Sequence, residues 1–171
     1  MDEENTIRLE TEMVGPLPIV NHFIKRLGIE DILSKYITTS NIHRLDPVTC
    51  IGILLRNIIT EREPLYGLKD WTERYRPELL NIGYDQIKIL NDDRVGRALD
   101  YLYDADRATL LTEIAVKTII EFDLNTSQLH NDSSSITFSG NYSDANGDNK
   151  RGKKSLNITR GHNKDHRPDL K

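Results

Sequence analysis

The sequence predicts a mainly α-helical protein that changes character near residue 125. Two observations lead to this prediction. Apolar residues recur at helical spacing up to about that point, and the chain beyond Leu124 loses the period and becomes rich in Ser, Asn and Gly. With 171 residues, 37% of them hydrophobic, the chain can bury one ordinary core. We therefore expect a helical domain over residues 1–125 and a second segment over 126–171, with a polar loop at 139–155.

The first helices are predicted by apolar periodicity and by their end signals. Apolar side chains at a spacing near 3.6, closed by Gly28, predict a helix from about Leu17, and a shorter helix follows to about Tyr36. Asp46 and Pro47, an acidic N-cap before a proline, start a third helix that we expect at the centre of the core. The apolar positions expected on its buried face are Val48, Ile51, Leu55, Ile58 and Ile59.

Three further helices complete the predicted helical domain. A short one over residues 65–75 carries Trp71, which we interpret as a core anchor. Asp92 and Asp93 begin the next, and acids there are interpreted as satisfying the free amides of the helix rather than binding a metal. A long helix from about Asp106 to Phe122 ends the domain. Its expected core residues are Leu110, Leu111, Ile114, Ile119 and Ile120.

Charge and composition restrict the class of protein. Residues 1–128 hold 15 Lys and Arg against 22 Asp and Glu, which gives −7, while residues 129–171 hold 8 against 5, which gives +3. The helical part therefore lacks the basic balance typical of a DNA-binding face. No apolar run is long enough to span a membrane, and the acidic start is unlike a secretory signal, so we expect a cytoplasmic protein. Cys50, within an apolar run, is interpreted as a buried structural thiol.

The segment after residue 125 contains the residue with the clearest chemical signal, Asp132. Residues 128–138 mix Ser, Thr, Ile and Phe without a helical period and predict an extended strand, and residues 156–159 predict a second short one. Aspartate is rare within strands. From the residue alone, Asp132 is either a rigid carboxylate for a hard cation such as Mg²⁺ or a turn former in a Ser-rich loop.

A family resemblance favours the first interpretation. The stretch Leu129-His-Asn-Asp-Ser-Ser-Ser-Ile-Thr-Phe138, followed by the segment from Thr159 to Lys171, resembles the opening of the catalytic core in DDE-type insertion-sequence transposases. The segment Asn91-Asp-Asp-Arg-Val-Gly-Arg-Ala-Leu-Asp100 is similar to the helical N-terminal domain of one subgroup. The resemblance implies that an incomplete ribonuclease H-like α/β core, its first strands only, follows the helical domain.

The resemblance also implies a chemistry. Asp132 matches the first acid of the Asp-Asp-Glu triad, which implies that it is a catalytic ligand of Mg²⁺ in two-metal phosphoryl transfer on transposon-end DNA. No later residue matches the second aspartate or the glutamate, so we expect a truncated transposase that is inactive alone. The alternative is a DNA-end-binding or dimerising module, a homodimer or a partner of intact transposase, that modulates transposition.

Two further hypotheses concern the polar and basic residues. His162 and His166 have a helical metal-ligand spacing and, with Asp132, could serve a metal hydrolase that does not act on DNA, although Gly161 and Pro168 disfavour a helix there. Basic side chains are candidate phosphate contacts, although a solvated loop explains residues 150–154 equally well. The candidate DNA-binding residues are Lys150, Arg151, Lys153, Lys154, Lys164 and Arg167.

Overall fold

The protein divides into two compact units, Met1–Asn125 and Thr126–Lys171. The structure, a computed structural model, describes residues 11–38, 44–128, 130 and 141–159. Within these residues the chain is mainly helical, with seven α-helices and one small two-stranded sheet, which confirms the predicted fold class. None of the helices in the described part is long and apolar enough to cross a bilayer.

The first two helices meet at a glycine, as predicted. Helix α1 (Leu17–Leu27) ends at Gly28, and α2 (Ile29–Tyr36) begins directly after it. Gly28 has a φ of 63°, and its N–H donates to the carbonyls at the end of α1. A side chain would be strained in this left-handed conformation, so the glycine lets one helix stop and another start within a single residue.

Helix α3 (Pro47–Thr60) lies at the centre of the helical unit, as predicted. The Asp46 side chain caps it by accepting hydrogen bonds from the N–H groups of Val48 at 3.0 Å and Thr49 at 3.3 Å. Helix α3 packs along α6 (Asp92–Asp104) and also contacts α1 and α2. Its side chains Cys50 and Ile53 are completely buried in the core.

The remaining predicted helices appear in the expected order, together with one short helix that the sequence did not predict. Two 3₁₀ turns, Leu65–Gly67 and Pro77–Leu80, flank α4 (Leu68–Arg74), and a single-turn helix, α5 (Tyr84–Ile87), precedes α6. Helix α7 (Arg107–Glu121) ends the helical unit and packs on α1 and α2. Trp71 in α4 is buried and lies 5.1 Å from the Tyr75 ring, centroid to centroid, which confirms it as a core anchor. Asp92 and Asp93 lie in the first turn of α6, as predicted, with Asn91 as the N-cap.

The predicted buried faces of α3 and α7 are wrong at several positions. Ile58 and Ile59, in the last turn of α3, are exposed, and Ile59 lines an open apolar groove between α3 and α1. Helix α7 is covered on the side that contains Leu110 and Ile114. Its expected core residues on other sides are exposed: Leu111, Ile119 and Ile120.

An ion pair between a buried arginine and a half-buried glutamate joins three helices and a turn of the helical unit. Arg56 of α3 is only 2% exposed, and its Nη1 donates to Glu30 Oε1 of α2 at 2.8 Å. Its Nε donates to Asn21 Oδ1 of α1 at 2.7 Å, and Asn21 Nδ2 donates to the Leu79 carbonyl at 2.7 Å. Asn81 Nδ2 donates to both Glu30 oxygens, at 2.9 and 3.2 Å. These bonds compensate for the desolvation of the buried guanidinium.

Gly52 provides the space for this ion pair. A Cβ at this position would lie 2.9 Å from Arg56 Nη1 and 2.9 Å from Glu30 Oε1. Glycine inside a helix costs about 1 kcal/mol relative to alanine. The sequence places glycine inside α3 because a larger residue would displace the two charged groups.

The second unit contains a β-hairpin where the sequence predicted part of a polar loop. Strands β1 (Asn149–Lys150) and β2 (Lys153–Lys154) pair antiparallel, and backbone hydrogen bonds extend the ribbon to residues 145 and 158. Arg151 and Gly152 both have positive φ, 52° and 74°, the conformation of a two-residue turn that matches strand twist. The predicted strand at 156–159 appears only as a bridge between Asn146 and Asn157, while that at 128–138 lies almost entirely outside the described residues.

The ion pair predicts opposite effects for two glycine-to-alanine substitutions. Gly52→Ala should lower the free energy of unfolding by about 2 kcal/mol, because displacing a buried ion pair costs more than the gain in helix propensity. Gly96→Ala in α6 is the matched control, since no atom lies within 4 Å of its Cβ position. It should raise stability by about 0.5–1 kcal/mol. Urea unfolding measures both, and equal stability of the two variants would contradict the role of Gly52.

The observed packing of α3 makes a second prediction. Ile53→Ala should destabilise the helical unit by about 2–5 kcal/mol because it opens a cavity at a fully buried position. Ile58→Ala, at a position that is 51% exposed, should change stability by less than about 1 kcal/mol. The same urea experiment compares the two variants. A larger loss of stability for Ile58→Ala would show that the buried face of α3 is the one predicted from the sequence.

Candidate functional site

The structure brings four of the predicted site residues together and does not describe the other three. The three outside the described part of the chain are Asp132, Lys164 and Arg167. His162 and His166 also lie outside the described part of the chain. The four described residues all belong to the hairpin of β1 and β2: Lys150, Arg151, Lys153 and Lys154. We call these four residues the basic hairpin.

The strand register sets how the basic side chains are distributed. Lys150 pairs directly with Lys153, and Asn149 pairs with Lys154. Paired residues lie on the same face of a ribbon and neighbours in a strand on opposite faces. Lys150 and Lys153 therefore share one face, and Lys154 lies on the other. Two like charges directly opposite each other destabilise a β-pair, so an anion bound between them would relieve this repulsion.

Local contacts of the hairpin partly balance its charge. Lys150 Nζ lies 3.1 Å from Asp144 Oδ1. The Asp144 side chain is 96% exposed, so water screens this pair strongly and it contributes little to stability. The Asp148 carboxylate accepts instead from Asn146 Nδ2 at 2.7 Å, in a local turn. By composition, residues 141–159 hold four Lys and Arg against two Asp, which gives a net charge of +2.

The basic hairpin is suited to anions. Lysine and arginine side chains donate hydrogen bonds to phosphates and carboxylates. Within the described residues, no group of three or more His, Cys, Asp or Glu side chains is arranged to hold a metal ion. The assignment of Asp132 as a ligand of Mg²⁺ stays a prediction from the sequence.

Cys50 is not a candidate nucleophile. It is fully buried beside α6, and this burial raises the pKa of the thiol to about 11. A thiol with such a pKa is protonated at neutral pH, whereas the thiolate is the reactive form. The prediction that Cys50 is a buried structural thiol is confirmed.

A polar pocket that the sequence did not reveal lies around the buried ion pair. It has a volume of about 410 Å³ and is lined by Arg56 and Glu30 together with the side chains of Asn21, Lys25 and Asn81. The available signal was an arginine directly after the apolar run of α3, at position 56. The Glu30 carboxylate and the Arg56 guanidinium that line the pocket bond to each other. The polar character of the pocket therefore comes from the ion pair that links the helices.

Comparison with known proteins identifies the family of the helical unit. A family model described as a domain of unknown function, DUF4277, matches residues 9–116, which are 108 of the 171 residues. No curated protein and no solved structure matches the chain. The matched range includes α1 to α6 and much of α7, and it ends before the basic hairpin. Because the match spans more than half of the sequence, the chain belongs to the DUF4277 family.

Proposed function

We propose that this protein is a DNA-binding component of a transposition system and that its basic hairpin binds DNA phosphates. The observation that carries the proposal is the geometry of that hairpin, which puts four cationic side chains within residues 150–154 of one short ribbon. The DUF4277 domain is known in transposase-like proteins. The resemblance of residues 129–138 and 159–171 to the start of a DDE catalytic core supports the same assignment.

The hairpin suits the shape and charge of a duplex. A two-stranded ribbon is narrow enough to enter the major groove, and its flexible lysines can reach phosphates on either side. Arg151, in the turn, has a planar guanidinium that can bind one phosphate through two hydrogen bonds. Such contacts are largely independent of base sequence and weaken with salt, because each one releases condensed counterions.

The helical unit has a different role in this proposal. Residues 1–128 have a net charge of −7, which repels a phosphate backbone and leaves the second unit as the part that contacts DNA. Its many acids already bind neighbouring cations, such as Glu121 to Arg26 at 2.8 Å. We assign DNA contacts to the hairpin, together with Lys164 and Arg167, and a structural role to the helices.

We propose DNA binding rather than strand cleavage as the activity of these 171 residues. The complete family site would use Asp132 as one ligand of Mg²⁺, whose chemistry is to activate the attacking oxygen and stabilise the leaving oxygen. Asp132 is the single residue of this chain that matches that triad, and one carboxylate cannot position two cations. These 171 residues would bind transposon-end DNA without catalysing strand transfer.

A second candidate function is modulation of an intact transposase by occupying element ends or by dimerising with it. The net positive charge of the hairpin favours this candidate as much as the first, since both need DNA contact. The two differ in one assay. If this protein dimerises with intact transposase, strand transfer should fall at concentrations too low to occupy the element ends. If it acts only by binding DNA, strand transfer should fall only at concentrations that occupy those ends.

Charge removal from the hairpin tests the proposal directly. The triple variant Lys150→Gln, Lys153→Gln, Lys154→Gln should bind labelled duplex DNA at least ~10-fold more weakly at low salt, because three phosphate contacts are lost. The slope of log affinity against log salt should become shallower by about 3. Fluorescence anisotropy between about 50 and 200 mM salt measures both quantities.

The matched control keeps the charge and changes the side chain. The triple variant Lys150→Arg, Lys153→Arg, Lys154→Arg should bind with nearly the wild-type affinity and salt slope. If the glutamine variant binds as tightly as wild type, the basic hairpin is not the DNA contact and the proposal is wrong. Element-end duplexes and scrambled duplexes of equal length separate end recognition from general phosphate binding.

The ion pair within the hairpin makes a second prediction. Asp144→Asn removes the carboxylate that competes with DNA for Lys150, so DNA affinity should rise about two- to five-fold, the range expected for an exposed pair. Asp144→Glu keeps the negative charge and should leave affinity near wild type. The same anisotropy assay applies, and weaker binding by Asp144→Asn would show that the pair organises the hairpin rather than competing with DNA.

A further inference from the structure

The polar pocket around Arg56 leaves one donor of that side chain available. Arg56 is only 2% exposed, and it lines the pocket of about 410 Å³. Its Nε donates to Asn21, and its Nη1 donates to Glu30. The third nitrogen, Nη2, donates to no described residue, and it is not sealed from solvent. A hydrogen-bond acceptor for Nη2 must therefore enter from the pocket, because an unsatisfied guanidinium at this depth is costly.

The carboxylate at the base of the pocket is already engaged. Glu30 Oε1 accepts from Arg56 at 2.8 Å, and Asn81 Nδ2 donates to both Glu30 oxygens, at 2.9 and 3.2 Å. The base of the pocket therefore offers a free donor, Arg56 Nη2, more readily than a free acceptor. A carboxylate oxygen suits this donor, because charge-assisted hydrogen bonds to a guanidinium are stronger than neutral ones.

Two exposed charges of opposite sign line the same pocket. Lys25 lies in the last turn of α1 and Asp31 in the first turn of α2, on either side of Gly28. Asp31 Oδ2 lies 3.8 Å from the position that a Cβ at Gly28 would occupy. Within the described part of the chain, neither Lys25 nor Asp31 forms an ion pair. The pocket thus combines an available cation and an available anion with the donor at its base.

We infer that this pocket binds a small zwitterion with the chemistry of a free α-amino acid. The carboxylate of the ligand would accept from Arg56 Nη2 near Lys25, and its ammonium group would lie near Asp31. The lining contains two basic residues, Lys25 and Arg56, and two acidic ones, Glu30 and Asp31, so its formal charge is zero. Charge complementarity therefore favours a neutral ligand that carries both charges over a simple anion such as phosphate.

The pocket also has room for the rest of such a ligand. Its volume falls within the range of roughly 300–1,000 Å³ that is typical of small-molecule sites. Ile24, which is 6% exposed, supplies an apolar wall for the side chain of the ligand. The inference goes beyond DNA binding by the basic hairpin and does not depend on it, since every residue involved belongs to the helical unit.

An NMR titration of the full chain with L-leucine tests the inference. The backbone amide of Gly28 and the side-chain amide of Asn81 should shift saturably, with a dissociation constant on the order of 1 mM or lower. Isopentylamine lacks the carboxylate and should bind at least ~10-fold more weakly than leucine. Isocaproate lacks the ammonium group and should bind about two- to five-fold more weakly, because the contact that it loses is exposed to water.

Substitution of the two exposed charges tests the orientation of the ligand. Asp31→Asn should weaken leucine binding about two- to five-fold and strengthen isocaproate binding by a similar factor, because the same negative charge attracts an ammonium group and repels a lone carboxylate. Lys25→Gln should weaken the binding of both ligands by about the same factor. A general disturbance of the fold would change both affinities in one direction, so the opposite signs for Asp31→Asn are specific to the proposed orientation.

Two matched controls remove the same charges away from the pocket. Asp93→Asn also replaces an exposed acid in the first turn of a helix, and Lys88→Gln also replaces an exposed lysine. Neither residue lines the pocket, so both variants should bind leucine like wild type. Because Lys25 and Asp31 are exposed, their variants should keep urea midpoints near wild type.

Three outcomes would overturn the inference. The absence of a saturable shift at Gly28 with leucine would exclude a zwitterion site. Phosphate or isocaproate binding as tightly as leucine would identify a simple anion site instead. A change in the same direction for leucine and isocaproate in Asp31→Asn would exclude the proposed orientation. Because the shifts are read at the pocket itself, anion binding by the basic hairpin is distinguished from them, and either proposal can fail without the other.

Discussion

The buried pair of Arg56 and Glu30 is the contact on which the arrangement of the helical unit depends. A guanidinium that is 2% exposed requires its partners in fixed positions, because an unpaired buried charge costs several kcal/mol. Those partners come from α1, α2 and the turn that contains Asn81. One side chain of α3 therefore links α1 and α2 directly. Gly52, one turn earlier in that helix, leaves the space that the charged groups of Arg56 and Glu30 occupy.

Helix α3 contributes both to the core of the helical unit and to its outer surface. One side of α3 packs on α6 and contains Cys50 and Ile53, whereas its last turn leaves Ile59 beside α1 in an open apolar groove. A helix that is apolar on more sides than its neighbours cover must leave part of that surface in water. Part of that excess lies in the groove, which only apolar side chains line.

Charge is distributed between the two units in a way that separates their proposed roles. The helical unit is acidic and holds many of its cations in ion pairs, such as Arg74 with Glu61 at 2.8 Å. The hairpin of the second unit places Lys150 directly opposite Lys153, and Lys150 also pairs with the exposed Asp144 carboxylate at 3.1 Å. The proposed DNA contact therefore falls on the second unit, and a structural role falls on the first.

The sequence alone determined the helix ends and the class of fold. Gly28, Asp46 and Asn91 act through backbone bonds to residues close by in the chain, so their effects can be read without the tertiary structure. The basic residues at 150–154 and the acid at Asp132 were likewise evident from composition and motif. Only the tertiary structure decided which sides of α3 and α7 are buried, because that depends on where distant helices pack. It also decided that Arg56 pairs with Glu30, because contacts between residues far apart in the chain leave no local sequence pattern. The hairpin at residues 150–154 was not evident either, because its turn has positive φ angles without the usual Asn-Gly signal.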